Sequence, residues 1–411
     1  ERVALLEAME EEVAELVLED NRLQTLALSL AERRGVKAMP AFQHVLRTLE
    51  EQGRLDRDVE GLPSDDELAQ RLQMGRGLTR PELSALLAHA KLAIQDALEH
   101  GRCVDCPSLQ ADLIAGFPRQ LSERLPEALP RHRLRREIIA TMLANEMVNR
   151  GGIAFAFDLA EEMGATLDAV AAAFVATREI FDVRSLWVEI DSLPAGALQN
   201  RLHAEVRFAL RAHVADVLRT WPGEVQPGPI IEGARAGVER VANRVADLLR
   251  AEVRARLDAL AASLADEGAP PDIAGRIVRL VALDGSVAIA KLARDINADE
   301  VRLAQAYTDL GQALGLDWAK GRAASYAPSD PWERLLVASA ERDFEQVRFD
   351  LIGRVAAKGA DPVVAIQEWI KRNPGRSQRV VATVGRARQS AGVTAAMLAH
   401  LAAQARAALA A

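Results

Sequence analysis

The residues whose types and spacing come nearest to chemistry are His100, Cys103 and Cys106, an H-x-x-C-x-x-C run. Imidazole nitrogen and thiolate sulfur are the usual donors of structural zinc, yet such a site is almost always four-coordinate. No second His or Cys pair lies nearby to complete this one. The expectation is two metal-free surface thiols in a reducing compartment. A thioredoxin-like reading needs a βαβ context, and the surrounding residues carry none. The densest basic cluster is Arg131, His132, Arg133, Arg135 and Arg136, at a helix start. Cations there oppose the helix dipole, so acidic neighbours must offset them. Those neighbours lie either in a salt-bridged face of this chain, the default, or on an acidic surface of another domain or subunit. Thr141, Asn145 and Asn149 recur at four-residue steps on the same helix. If buried they need partners across a helix interface, and interior packing is a simpler use for them than ligand binding.

Whole classes of chemistry lack their local motif. There is no G-x-G-x-x-G after a strand, no G-x-x-x-x-G-K-S/T phosphate loop, no G-x-S-x-G elbow and no H-E-x-x-H, and none of the seven His residues sits in a catalytic pattern. Accordingly, no residue of this chain is assigned as catalytic, cofactor-binding or metal-ligating. A gapless internal echo does exist. Leu159-Ala160, Met163-Gly164-Ala165, Val170 and Ala173-Phe174 line up with Leu292-Ala293, Ile296-Asn297-Ala298, Leu303 and Ala306-Tyr307. Both copies read as helix, tight turn, helix. In a transcription regulator the second helix would enter a major groove and need cations. Here Asp168 and Glu179 face a lone Arg178, and Asp299, Glu300 and Asp309 face Arg302, so a packed αα corner is expected instead of a DNA reader.

The elements that must position these residues are helices. Leu5, Leu6, Met9, Val13, Leu16, Val17, Leu23, Leu26 and Leu30 recur at three- and four-residue steps opposite a run of Glu, which predicts one long amphipathic helix. Ser64-Asp65-Asp66-Glu67 and Thr79-Arg80-Pro81-Glu82 are capping boxes, the second with Pro where its missing N–H costs nothing. A stripe from Leu134 to Met147 ends at Gly151-Gly152. Helices near 153–163, 167–181 and 198–220 follow. The turn-rich stretch from Trp221 to Pro229 predicts a boundary, dividing the chain into helical subdomains 1–222 and 223–411. Further helices carry Val241 to Leu260 and start at Asp330, and two more close the chain. The one place left open to short strands is Val380 to Val384.

Composition fits this reading. Of 411 residues, 49% are hydrophobic but only 4% aromatic, so the core is built from aliphatic side chains that lose little rotamer freedom in a helix. The expected class is all-α, a multi-helix bundle arrangement in two or more packed subdomains with helix-turn-helix-like corners. A net charge of -8 without a long basic block gives no support to nucleic acid or an anionic membrane surface as partner. No apolar run approaches the roughly 18 residues of a membrane span, and the acidic stretch Glu1 to Glu15 is unlike the cationic start of a secretory signal. The chain reads as cytoplasmic.

Three stretches together carry a resemblance: Leu16 to Ala31 (LVLEDNRLQTLALSLA), Gly77 to Leu98 (GLTRPELSALLAHAKLAIQDAL) and His132 to Phe155 (HRLRREIIATMLANEMVNRGGIAF). Leu55 to Leu68, Gly315 to Trp318 and Asp330 to Leu335 support it. The chain resembles the C-terminal helical region of the large bacterial NAD-dependent glutamate dehydrogenases. In that family the nucleotide-binding fold and the residues that handle glutamate lie upstream of the matched region, so no catalytic role carries over onto any position here. The resemblance implies a parent that oxidises L-glutamate to 2-oxoglutarate and ammonium with NAD. It implies no cofactor on this segment, and as partners the upstream dehydrogenase domain and further subunits of a homo-oligomer. The residues expected to dock are Leu16, Leu23, Arg131, Arg133, Arg135 and Arg136. The rival expectation is a stand-alone helical adaptor or regulator that uses its helix-turn-helix pieces.

Overall fold

The computed structural model describes residues 2–223, 225–356 and 359–409. Every regular element among them is helical and none is a strand, so the protein is all-α. Two compact units form, one from residues 1–178 with 221–230, the other from 179–220 with 231–411.

In the first unit the capping boxes act as read. Glu67 Oε2 accepts the Ser64 N–H at 2.8 Å, and Glu82 Oε2 accepts the Thr79 N–H at 2.7 Å, starting the helices Asp65–Gln73 and Arg80–Glu99. The long first helix, Arg2–Arg34, is two helices in its environment. Leu26, Ala27, Leu30 and Ala31 are buried, whereas Val3, Leu6, Val13, Leu16, Val17 and Leu18 are exposed. The helix Arg135–Glu146 does not run on as α-helix to Arg150. It passes into a π-helical turn, Met147–Gly151, before Gly152 breaks it at φ 109°.

Both copies of the internal echo build one device. The helix Phe155–Met163 ends on Gly164 at φ 61°, with the Ala165 N–H donating to Ala160 O at 2.9 Å. The helix Ser286–Ile296 ends on Asn297 at φ 52°, with the Ala298 N–H donating to Ala293 O at 2.8 Å. This is the left-handed helix stop that satisfies orphan carbonyls. Thr166 Oγ1 and Asp299 Oδ1 then cap the following helices, accepting from the Ala169 and Arg302 N–H groups at 3.1 and 2.8 Å. The helix Leu167–Ile180 is buried from Ala169 to Arg178 without interruption, which leaves it no face for a DNA groove.

Two sequence expectations need correction. Val380 to Val384 lies inside the helix Pro374–Arg388. Its buried residues Val380, Thr383, Val384 and Ala387 repeat at three and four, a helical period that β-branched residues had obscured. A helix was also missed, Val183–Asp191, which begins directly after Asp182 in a left-handed conformation at φ 49°.

The second unit is organised round the helix Pro331–Ala356, against which the helices Glu300–Leu314, Leu316–Ala324 and Ala395–Leu409 pack. Phe344, Leu351 and Ile352 of the central helix are fully enclosed. Buried aliphatic area of this kind is the main favourable term in a fold with few aromatics.

Candidate functional site

Of the sequence-singled residues, Arg135, Arg136 and Asp168 meet at the H-x-x-C-x-x-C turn, whereas Leu16 and Leu23 lie on the first helix. His100 is exposed and its Nδ1 lies 2.8 Å from Asp96 O of its own helix, while Cys103 is only 2% exposed. Cys103 is therefore not a surface thiol. A short 3₁₀ turn, Cys103–Asp105, folds it inward, and its N–H donates to Asp168 Oδ1 at 3.1 Å. Burial, with Asp168 adding to it, pushes the Cys103 thiol far up. Cys106 remains partly exposed, its Sγ 3.1 Å from Ser108 Oγ. Among the described residues no group of three or more His, Cys, Asp or Glu is arranged to hold a metal ion.

The basic cluster separates into two pairs. Arg135 and Arg136 both bridge Asp105, and Arg136 Nη2 donates to the carbonyls of Glu99 and Gly101 at 2.9 and 2.8 Å. A guanidinium on those carbonyls sits at the negative end of the helix Arg80–Glu99, where the dipole favours it. Arg131 and Arg133 are exposed. Of the supposed polar ladder, Thr141 is exposed and donates to Glu137 O at 2.8 Å, whereas Asn149 is buried. Leu16 is 40% exposed and Leu23 is half-buried.

What sequence reading missed is a cluster of buried charge inside the second unit. Three helices each supply an acid and a base three residues apart: Asp216 with Arg219, Asp317 with Lys320, and Glu345 with Arg348. Asp284, in the turn before the helix Ser286–Ile296, and Tyr307 complete it. Lys320 Nζ donates to Asp284 Oδ2 at 2.6 Å and also pairs with Glu345. Tyr307 donates to Glu345 Oε1 at 2.6 Å, and Arg219 Nη1 lies 3.5 Å from Glu345 Oε2. Arg348 Nη1 donates to Asp317 Oδ1 at 2.7 Å, and its guanidinium lies over the Tyr307 ring at 4.8 Å. Arg219 pairs with Asp216, which also accepts the Ala288 N–H at 3.2 Å.

Two glycines border this cluster, Gly285 required by its left-handed backbone and Gly311 by close approach. Gly285 stands at φ 82°, with Glu345 Oε2 and Tyr307 Oη each 3.5 Å from where a Cβ would be. A Cβ on Gly311 would meet Asp317 and come within 2.6 Å of Arg348 Nη1. A signal for the cluster was present: Glu345 and Arg348 stand among Phe344, Val347, Phe349 and Ile352, where a solvated charge has no place.

Its electrostatics shift several of its groups, in directions set by burial and by the neighbouring charges. Burial alone would raise Glu345, but Lys320, Arg219 and Arg348 outweigh it and hold the carboxyl well below its usual range. Burial would lower Lys320, yet Asp284, Glu345 and Tyr307 raise it well above an ordinary lysine. Burial, then Glu345, pushes the Tyr307 phenol far up. Asp216 is raised because burial exceeds the pull of Arg219. Beside the cluster His213 is 1% exposed and its ring stacks on Phe181 at 3.9 Å. Its Nε2 lies 2.9 Å from Leu280 O, and burial lowers its pKa. General acid–base catalysis favours a pKa near the working pH. Glu345 and Lys320 are instead held charged across the neutral range.

One wall of the cluster opens on a cavity of about 80 Å³ inside the same unit. Val241, Val245 and Leu249 give it an apolar side, and Ser286, Lys320 and Arg348 a polar one.

With the geometry in hand, the likeness to known proteins is specific. Residues 75–406 match the family described as "Glutamate dehydrogenase, C-terminal". The chain is 33% identical over 402 residues to an NAD-specific glutamate dehydrogenase of Mycobacterium tuberculosis, covering 95% of this chain and 24% of that protein. It is 32% identical over 339 residues to one of Pseudomonas aeruginosa, covering 82% and 21%. A third, of Halomonas elongata, is 29% identical over 392 residues, covering 92% and 24%. The chain thus spans about a quarter of the length of these relatives or slightly less. The match takes in the capping box at Thr79, both αα corners and the whole buried charge cluster, and the chain belongs to the glutamate dehydrogenase C-terminal family.

Proposed function

We propose that this chain is the non-catalytic helical region of an NAD-dependent glutamate dehydrogenase, and that it supports assembly or regulation of the parent. The parent would convert L-glutamate, NAD and water to 2-oxoglutarate, ammonium and NADH in the cytoplasm. NAD belongs to the upstream dehydrogenase domain and not to this segment. The observation that carries the reading is the first helix. Its N-terminal half presents Val3, Leu6, Val13, Leu16, Val17 and Leu18 to solvent, large apolar side chains of the kind that gather at interfaces. The occupant we assign is the dehydrogenase domain of the same protein, because this chain spans only about a quarter of its relatives' length. Contact with other subunits of a homo-oligomer is the second use of that face, and Arg131 and Arg133 are the cations available to it. Glu345 and Lys320, held as fixed buried charges, support the non-catalytic part. The division into subdomains 1–222 and 223–411 stands with this proposal. The adaptor reading draws no support from the buried helix Leu167–Ile180.

Two measurements test it. Calorimetry of the chain with NAD should give no saturable heat, and tight NAD binding would overturn the assignment of the cofactor elsewhere. In the parent, Leu16→Asp with Leu23→Asp should lower solubility or change the subunit count before it changes the affinity for glutamate. An unchanged mass in solution with unchanged solubility would remove the docking face from the account.

A further inference from the structure

We infer that the basic face of the helix Pro374–Arg388 is a self-association surface, and that its partner is the acidic face of the first helix, Arg2–Arg34, of a second copy of this chain. Charge is spread unevenly along the sequence. Residues 369–411 hold seven Lys or Arg and no Asp or Glu, so all 59 acidic residues of this net -8 chain lie before them. Arg379 and Arg386 are both exposed and stand two turns apart on one side of their helix, about 10 Å along its axis. Ala382 lies exposed between them, and Lys371 is exposed at the end of the preceding helix, Pro362–Arg372. Arg372 and Arg388 are taken by Glu368 and Glu252. Among the described residues Lys371, Arg379 and Arg386 pair with no carboxylate.

The first helix carries the complement. Glu7, Glu11 and Glu15 recur at four-residue steps, all exposed, and among the described residues none pairs with a cation. Like charges at that spacing destabilise a helix, and the row spans about 12 Å, close to the separation of the two arginines. Leu18, 67% exposed, falls on the same side, where the small Ala382 leaves it room. Val13 and Val17 each lie two residues from Glu15, roughly 200° round the helix, so the apolar face assigned above to the dehydrogenase domain is separate from this acidic one. A nucleic acid suits the basic face less well than a short acidic helix, since a long polyanion is repelled by the acidic remainder of the chain. Each chain carries both faces, so two copies can offer them to each other. This names a surface for the subunit contact proposed above, and because it is tested on the chain alone, its failure leaves the assignment of the parent standing.

The test is sedimentation equilibrium of the chain over a concentration series. At about 10 mM salt, where charges act over ~30 Å, the mean mass should rise with concentration above the 44.6 kDa of one chain. At about 1 M salt, where they act over ~3 Å, it should return to that value. Arg379→Glu with Arg386→Glu should weaken the association at least about tenfold, and so should Glu11→Arg with Glu15→Arg, because each change sets like charges against one another. All four positions are exposed, so both variants should fold as the unsubstituted chain does. Mixing the two variants puts opposite charges back on both halves of the contact and should restore the association, although each variant keeps a net negative charge and bulk electrostatics drives them apart. A single chain at both salt concentrations, association that either pair of substitutions leaves unchanged, or a mixture that stays dissociated would each overturn the proposal. So would a DNA oligomer held at low salt through Arg379 and Arg386 in the absence of self-association.

Discussion

The Tyr307 hydroxyl donates to Glu345 Oε1 at 2.6 Å in the interior of the second unit, and Glu345 is the carboxylate on which Lys320 and Arg219 also converge. Removing one partner of a buried ionic network leaves the others charged and unpaired, which costs ~3–5 kcal/mol. Glu345→Gln should therefore destabilise the chain by about that amount. Tyr307→Phe, which takes away one charge-assisted hydrogen bond, should cost only ~1.5–3 kcal/mol. Urea unfolding followed by circular dichroism gives both values, and a Glu345→Gln cost below that of Tyr307→Phe would refute the hierarchy. The sign with pH follows from the lowered folded value. Glu345 contributes its full stability above the ordinary 4.5 and loses it as pH falls through that value towards the folded pKa. The acid limb of the stability profile should be shallower in Glu345→Gln.

Lys91 is the opposite case. Its Nζ is buried without a hydrogen-bond partner, and burial, only partly opposed by Asp20, lowers its pKa to about 8. The unfolded chain, at the ordinary 10.5, binds more protons between these two values, so stability should rise as pH goes from 8 towards 10.5. Lys91→Met should remove that slope and leave the protein no less stable at pH 7. A slope unchanged in Lys91→Met would place its origin elsewhere.

The two thiols should differ sharply in reactivity, since the thiolate is the attacking species. Cys106 should react with iodoacetamide in the native protein, and Cys103, buried and with its pKa raised, only after unfolding. Peptide mass spectrometry of alkylated protein reads the order directly. Equal labelling would contradict the burial of Cys103. Stoichiometric zinc that disappears when both become Ser would contradict the metal-free reading.

The all-α class and most helices could be read from sequence because apolar spacing and caps are local. Ser64, Thr79 and Gly164 each act within about four residues of themselves, and each does what its type suggests. The charge cluster could not be found that way, because Asp216, Asp284, Lys320 and Glu345 are distant in sequence and meet only when their helices pack. Val380 to Val384 misled because its β-branched residues suit a strand while its burial follows a helix. Arg135 and Arg136 were legible as a cluster, but their use on the carbonyls of Glu99 and Gly101 belongs to tertiary structure.

The central claim is that this region holds its parent enzyme together without taking part in the reaction. Mass photometry of the parent with residues 1–411 deleted, run beside glutamate kinetics on the same preparation, tests it most directly. The account predicts aggregation or an altered subunit count, because the deletion would uncover the surface proposed to receive Leu16 and its exposed neighbours. A truncated enzyme that stays dispersed, keeps its subunit count and retains its kinetics would contradict it.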